Sequence, residues 1–468
     1  MRAMIRRCRA LAGRQLALPW LFVLAACGSP GSSSGPAPDA GSPASPMTEE
    51  VEDRRPNIIW IVADDLGYAD SGFQGSDLIQ TPHLDGLAAS GVRFLQAYAT
   101  SSVCSPSRAG LLTGRYQQRF GHEHNIAQDG VGGLRRGEVT IAEHLRGAGY
   151  RTHLVGKWHL GVDPESHPRN HGFDHFFGLL GGSRSYFARG ANPPHQALQR
   201  HGRPVPDPPG AYLTELFGEE AERIVQDAPE PLFLLLSFTA PHTPLEARTA
   251  DRMRFDAPTE ERATLAAMTY SMDEAIGRVL EGLDRRGIRR RTLVAFTSDN
   301  GGAAANHSDN AGLRGHKGSL YEGGVRVPMI LSWPGVVPQQ ADVHEAVSTL
   351  DWFATSAAAA GALRAGVEGR DLRPLLSGRG GWRERELFWR RGRQAAVRLG
   401  DWKLIREAGE FELYDLTGDA GERQDLASAR PEVAARLSSL LSDWETELAE
   451  PRWEPGGLRE EAAGSRGR

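Results

Sequence analysis

Residues 57–63 read NIIWIVA, seven positions without a charge and dominated by β-branched side chains. A run this short and this apolar predicts a strand buried on both faces, as in a parallel sheet. The runs at 152–155, 231–238 (PLFLLLSF), 292–297 (TLVAFT) and 327–331 repeat the pattern. Between them, 138–146, 214–225 and 260–285 place apolar residues at helical spacing. Strands alternating with helices predict an α/β fold: a large, mixed, mostly parallel sheet flanked by helices. The pattern changes after about residue 375. Short strand-like pieces at 387–389, 394–398, 402–405 and 412–414 are joined by Gly- and Asp-containing turns, and an amphipathic stretch follows over 431–448. A large domain over 56–375 and a smaller antiparallel-sheet subdomain over 376–453 are therefore expected, with a disordered polar tail over 454–468.

The N-terminus follows a different logic. Arg2, Arg6, Arg7, Arg9 and Arg14 precede an apolar stretch, 16–26, with no acid among them. That stretch is too short for the ~20 residues that span a bilayer, so 1–26 reads as a signal peptide. Leu24-Ala25-Ala26-Cys27 resembles a bacterial lipobox, whose cysteine becomes a lipidated N-terminus. Residues 27–55 are rich in Gly, Ser, Pro, Ala and acids, and suit a flexible tether. The expectation is a protein of the bacterial cell envelope, held to a membrane through lipidated Cys27 in the periplasm or at the cell surface. The whole chain carries −5, and setting aside the +5 of the leader leaves −10, which argues against nucleic-acid binding. Of the three cysteines, Cys8 lies in the leader, and Cys27 and Cys104 have other uses, so no structural disulfide is expected.

Ligand sites in open α/β sheets lie beyond the carboxyl ends of the strands. Four of the apolar runs end in polar residues of a catalytic kind: Asp64-Asp65, Gly156-Lys157-Trp158-His159, Thr239-Ala240-Pro241-His242 and Asp299-Asn300. Asp64, Asp65, Asp299 and Asn300 form an all-oxygen donor set. Hard divalent cations prefer such donors, so Ca²⁺ is expected, Mg²⁺ second, and Zn²⁺ is not. Lys157 and His159 stand two apart on extended backbone and should face the same side.

Residues 104–115 read CSPSRAGLLTGR. Ser101, Ser102 and Ser105 suit turn or cap positions, and Pro106 suits a first helical position, so a polar loop should lead into a helix. The helix N-terminus favours negative charge near Cys104, and Arg108 adds a full positive charge one turn on. The result is a nucleophile in an anion-binding pocket. A lone cysteine in such a place is more often inert and buried; the complete string tips the balance. It resembles the signature of the type I sulfatases, C-x-P-S-R-x-x-x-L-T-G-R, at Cys104, Pro106, Ser107, Arg108, Leu112, Thr113, Gly114 and Arg115. Gly156-Lys157-Trp158-His159-Leu160-Gly161, Ala240-Pro241-His242 and Gly315-His316-Lys317-Gly318 resemble further segments of that family. The likeness runs from residue 56 to about 427, and includes Thr81-Pro82-His83-Leu84-Asp85 and Gly400-Asp401-Trp402-Lys403-Leu404.

The resemblance implies an alkaline-phosphatase-like fold and a sulfuric ester hydrolase. It implies that Cys104 is oxidised to formylglycine by a formylglycine-generating (maturase) enzyme. Asp64, Asp65, Asp299 and Asn300 would be metal ligands, joined by modified Cys104. Lys157 and Lys317 would bind the sulfate of a small-molecule or glycan substrate, with Arg108 stabilising charge. His159 would bond to the hydrated aldehyde and act as base, and His242 would protonate the leaving oxygen. Two other readings remain. One is a phosphonate or phosphodiester hydrolase of the same superfamily; the other is a non-catalytic lipoprotein that binds sulfated glycans.

Overall fold

Four of the apolar runs become four neighbouring parallel strands. The computed structural model describes residues 55–126, 132–188, 190, 192–378, 382–454 and 457–458. The leader, nearly all of the tether, and residues 459–468 of the tail lie outside them. The large sheet contains β1 (Asn57–Ala63), β2 (Val92–Phe94), β3 (Arg151–Lys157), β4 (His175–Leu179), β5 (Gln199–Arg200), β6 (Arg203–Pro204), β7 (Leu232–Ser237), β8 (Thr292–Ser298), β9 (Met329–Ser332) and β10 (Ala341–Val343). Their spatial order is β10-β2-β9-β8-β1-β7-β3-β4-β5-β6. The central run β8-β1-β7-β3-β4 is parallel throughout, with Ile59 opposite both Leu234 and Val294. Antiparallel pairs flank it on either side.

The unbroken apolar character of β1 has a direct cause. Ile58, Trp60 and Val62 point into one hydrophobic layer, and Ile59, Ile61 and Ala63 into the other. Each strand residue here must therefore be apolar, because both sheet faces are covered. The first layer is closed by the helices α1 (Cys104–Thr113), α2 (Ile141–Gly147) and α5 (Asp351–Ala359), through Leu111, Leu112, Ile141, Leu145, Trp352 and Phe353. The second is closed by α3 (Leu213–Asp227) and α4 (Glu260–Arg285), through Phe217, Ile224, Met272 and Ile276. Truncating a buried residue such as Leu235 to Ala in this core would cost about 2–5 kcal/mol.

The C-terminal meander is a four-stranded antiparallel sheet, β11 (Glu386–Arg391), β12 (Gln394–Leu399), β13 (Trp402–Glu407) and β14 (Glu410–Asp415). One face receives Leu437, Leu441 and Trp444 of α6 (Pro431–Glu445). The other packs on Tyr98, Leu320 and Val325. Fully buried Lys403 also reaches across that second face, 2.9 Å from both Glu322 Oε1 and Glu422 Oε1. Beyond it, Trp453–Glu454 pairs with Gly457–Leu458. Among the described residues no helix is long and apolar enough to cross a membrane.

Some expectations shift. The run at 327–331 forms β9 two residues later, and it runs antiparallel to β8. The helix expected over 138–146 starts at Ile141, because Thr140 and Glu143 form a reciprocal capping box. The final helix stops at Glu445 rather than 448.

Candidate active site

The carboxyl ends of β1, β3, β7 and β8 lie side by side, and α1 points its first residue at them. Cys104 is the first residue of α1, with Val103 as N-cap; Pro106 is therefore third, not first. All ten residues of this helix are buried. At its far end Gly114 has φ 64°, and an added Cβ would lie 2.7 Å from Phe353, so the glycine ends the helix for packing reasons. Arg115 points away from the pocket and bonds to Glu138 at 2.7 Å. Of the signature, Cys104 and Arg108 are thus the residues that reach the pocket carboxylates.

Cys104 Sγ lies 3.4 Å from Asp64 Oδ1 and 3.7 Å from Asp65 Oδ1. One helical turn on, Arg108 shares the face of Cys104. Its Nε donates to Asp299 Oδ2 at 2.8 Å, and its Nη1 to Ser237 Oγ at 2.6 Å. Ser237 in turn donates to the Lys157 carbonyl at 2.7 Å. Lys157 Nζ donates to Asp64 Oδ2 at 2.6 Å, and Lys317 Nζ to Asp65 Oδ2 at 2.8 Å. Asn300 Nδ2 donates to Asp65 Oδ1 at 2.8 Å. His242 Nε2 stands 3.6 Å from Asp65 Oδ2. His242 Nδ1 lies 2.6 Å from the Thr243 carbonyl, which can only accept, so Nδ1 carries the hydrogen and Nε2 faces the pocket.

Burial opposes the charge on Asp64, but Lys157, His242 and Arg108 outweigh it and hold the carboxyl below its ordinary value. Burial likewise opposes Asp65, and Lys317 and His242 prevail. The Cys104 thiol moves the other way. Burial drives it far above its usual value, with Asp299 and Asp64 adding to the effect against Lys157 and Lys317. An unmodified thiol in this pocket is therefore protonated and a poor nucleophile. Burial, then Lys157, Arg108 and Lys317, keeps the His159 imidazole neutral.

The pocket suits a divalent cation. Asp64, Asp65, Cys104 and His242 bring ligand atoms within 4.8 Å of one another. Asn300 Oδ1 is buried there with no hydrogen-bond partner among the described residues. A buried orphan acceptor beside three carboxylates is what a hard cation would satisfy. All ten residues singled out in the sequence, Asp64, Asp65, Cys104, Arg108, Lys157, His159, His242, Asp299, Asn300 and Lys317, gather at this one pocket. Ser237 was not among them, although a lone hydroxyl closing the run LFLLLS was a signal that could have been used.

A buried cysteine at a helix N-terminus, with clustered cations and carboxylates, mounted beyond a doubly covered parallel sheet, is the arrangement of the alkaline-phosphatase-like superfamily. The sulfatase family model matches residues 56–362, and the model for the C-terminal part of N-sulphoglucosamine sulphohydrolase matches 315–447. The N-acetylgalactosamine-6-sulfatase of Mus musculus is 35% identical over 376 residues, 74% of this chain and 71% of that one. The crystal structure of Ps i-CgsB in complex with k-i-k-neocarrahexaose is 32% identical with TM-score 0.82, covering 88% of this chain and 96% of that one. The phosphonate monoester hydrolase of Agrobacterium radiobacter, 22% identical with TM-score 0.61 over 84% of this chain and 96% of that one, shares the fold. The chain belongs to the sulfatase family, and it is a sulfatase.

Proposed function

We propose that this sulfatase hydrolyses sulfate esters of carbohydrates through residue 104 after a formylglycine-generating enzyme has oxidised its cysteine. One divalent cation, Ca²⁺ ahead of Mg²⁺, would be held by Asp64, Asp65, Asp299 and Asn300, with modified residue 104. Formylglycine supplies a hydrated aldehyde whose paired hydroxyls serve attack on sulfur and release of sulfate, and the cation supplies neutralising charge. The chain's own side chains do the rest. Arg108 and the α1 N-terminus hold negative charge at residue 104. Lys157 and Lys317 face the transferring sulfuryl oxygens from two sides. His242, when protonated on both ring nitrogens, gives its Nε2 proton to the leaving alcohol oxygen, and neutral His159 takes one up as sulfate departs. The attacking hydroxyl's proton and the one taken up by His159 pass to solvent, His242 regains one from solvent, and overall water and a sulfate ester become an alcohol, sulfate and one released proton.

The observation that carries this reading is the seat of Cys104. It lies at a helix N-terminus, 3.4 and 3.7 Å from two carboxylates that are themselves tied to Lys157 and Lys317. Relatives support a carbohydrate substrate: one is named for N-acetylgalactosamine-6-sulfate, and another is solved with a neocarrahexaose. Comparing turnover of an aryl sulfate with the matching aryl phosphate and phosphonate esters tests the reaction class. Faster sulfate turnover supports the reading, and faster phosphonate or phosphodiester turnover replaces it. The lipobox-like Leu24-Ala25-Ala26-Cys27 supports a lipid anchor that holds the enzyme in the bacterial envelope, with 27–55 as tether.

A further inference from the structure

His242 sits on a tight turn, 239–242, whose four carbonyls are all engaged. The Ala240 carbonyl accepts from Asp64 N at 3.0 Å, so the turn is tied to the end of β1. The Pro241 carbonyl accepts from Asn306 Nδ2 at 3.1 Å. The Thr239 carbonyl accepts from His242 N at 2.9 Å. The fully buried Tyr186 hydroxyl then lies 2.6 Å from the Thr239 carbonyl and 2.9 Å from the His242 carbonyl, so one O–H bridges the two ends of the turn.

Tyr186 is itself fixed by its surroundings. Its ring stacks on Tyr212 at 5.6 Å, and its N–H donates to Glu246 Oε2 at 2.8 Å. Ser185 Oγ donates to the same oxygen at 2.7 Å. Just upstream, Gly182 lies against the His159 ring; an added Cβ would sit 2.7 Å from His159 Nε2. Buried Arg184 anchors the segment between them by an ion pair with Asp207 and a 3.2 Å bond to the Gln196 carbonyl. Residues 182 and 186 therefore touch the His159 ring and the His242 backbone, the two histidines proposed to transfer protons.

We infer that the strap 182–186 sets the relative placement of His159 and His242, and that Tyr186 is a positioning residue for His242. The kinetic arm of this inference rests on His242 as the donor to the leaving oxygen. A donor misplaced by a fraction of an ångström slows proton transfer more than it weakens binding. Esters with poor leaving groups need that proton; nitrophenyl sulfate, whose leaving group is already stable as an anion, needs it far less.

Tyr186→Phe in the full-length enzyme keeps the stacked ring and removes only the bridging hydroxyl. Turnover of an alkyl sulfate should fall about tenfold, with nitrophenyl sulfate changed less than twofold and KM held. In a His242→Ala background the same change should cost nothing further, because the two act as one unit. Equal losses on both esters, or additive losses in the double variant, would overturn the inference. The His242 Nδ1–H resonance in ¹⁵N-histidine-labelled enzyme gives a second readout without turnover. It should shift or broaden in Tyr186→Phe, and an unchanged resonance would also overturn the inference. If His242→Ala alone shows no leaving-group selectivity, the donor assignment fails, and the resonance alone decides the strap.

Discussion

Lys157 Nζ lies 2.6 Å from Asp64 Oδ2, and both side chains are wholly buried, whereas Lys317, which pairs with Asp65, keeps 18% of its side chain exposed. The two lysines carry the same charge into the same pocket but differ in what they support. Lys157→Ala takes the nearest cation from buried Asp64 and leaves Arg108 3.8 Å away, at up to about 3–5 kcal/mol, whereas buried Asp65 keeps the Asn300 Nδ2 donor at 2.8 Å when Lys317 is lost. It should lower thermal stability as well as turnover. Lys317→Ala should reduce kcat/KM by roughly 10²-fold or more with a much smaller change in melting temperature. Thermal melts and kinetics on the two variants check the contrast; equal destabilisation by both would contradict it.

Metal removal is a separate test. A ligand held at a hundred times its Kd adds about 2.7 kcal/mol to stability. Treatment with EDTA should therefore abolish activity and lower the melting temperature, and Ca²⁺ should restore both more fully than Mg²⁺. Asp299→Ala should prevent the restoration. Elemental analysis showing no bound metal in fully active enzyme would remove the cation from the site.

Away from the pocket, half-buried His153 and fully buried His171 should make the fold sensitive to acid. Burial lowers His153 to about 4, with His175 adding to the effect, and burial with Arg136 lowers His171 to about 4. Their folded values lie below the unfolded one, so the unfolded chain binds more protons in between. Their contribution is complete above the unfolded value near 6.5 and is lost as pH falls toward 4. It amounts to the order of 3 kcal/mol each. Both ring nitrogens of His153 lack hydrogen-bond partners among the described residues. His153→Leu should accordingly flatten the fall in melting temperature between pH 6.5 and 4. An unaltered slope would show that this ring is not the source.

The anchor can be examined without touching the pocket. Wild-type protein should fractionate with membranes, because the several acyl chains of a mature lipoprotein hold firmly where one would not. Cys27→Ser should release it or stall its processing. Soluble wild-type enzyme with a different N-terminus would point to simple secretion and leave the catalytic reading intact.

Much of this architecture was legible because both sheet faces are covered. Ile58 to Val62 had to be apolar on either side, and such runs stand out from the chain. The polar residues at their ends stood out for the same reason. β4 was missed since HFFGL opens on a histidine and carries a glycine before its last residue, and β2, only three residues long, left no pattern to find. Tyr186 left no mark either. Its role depends on where the strap passes relative to the turn at 239–242, and only the folded chain brings a residue from before α3 beneath one after β7. Ser237 lies between these cases, visible as an odd hydroxyl but explained only by its bond to Arg108.

The most direct test is the mass of the peptide that carries residue 104, taken from enzyme whose turnover of a sulfate ester has been measured in the same sample. Residue 104 should be lighter than cysteine by the difference between a thiol and an aldehyde, and specific activity should rise in proportion to the converted fraction. Full activity from protein in which Cys104 is wholly unmodified would contradict the central claim.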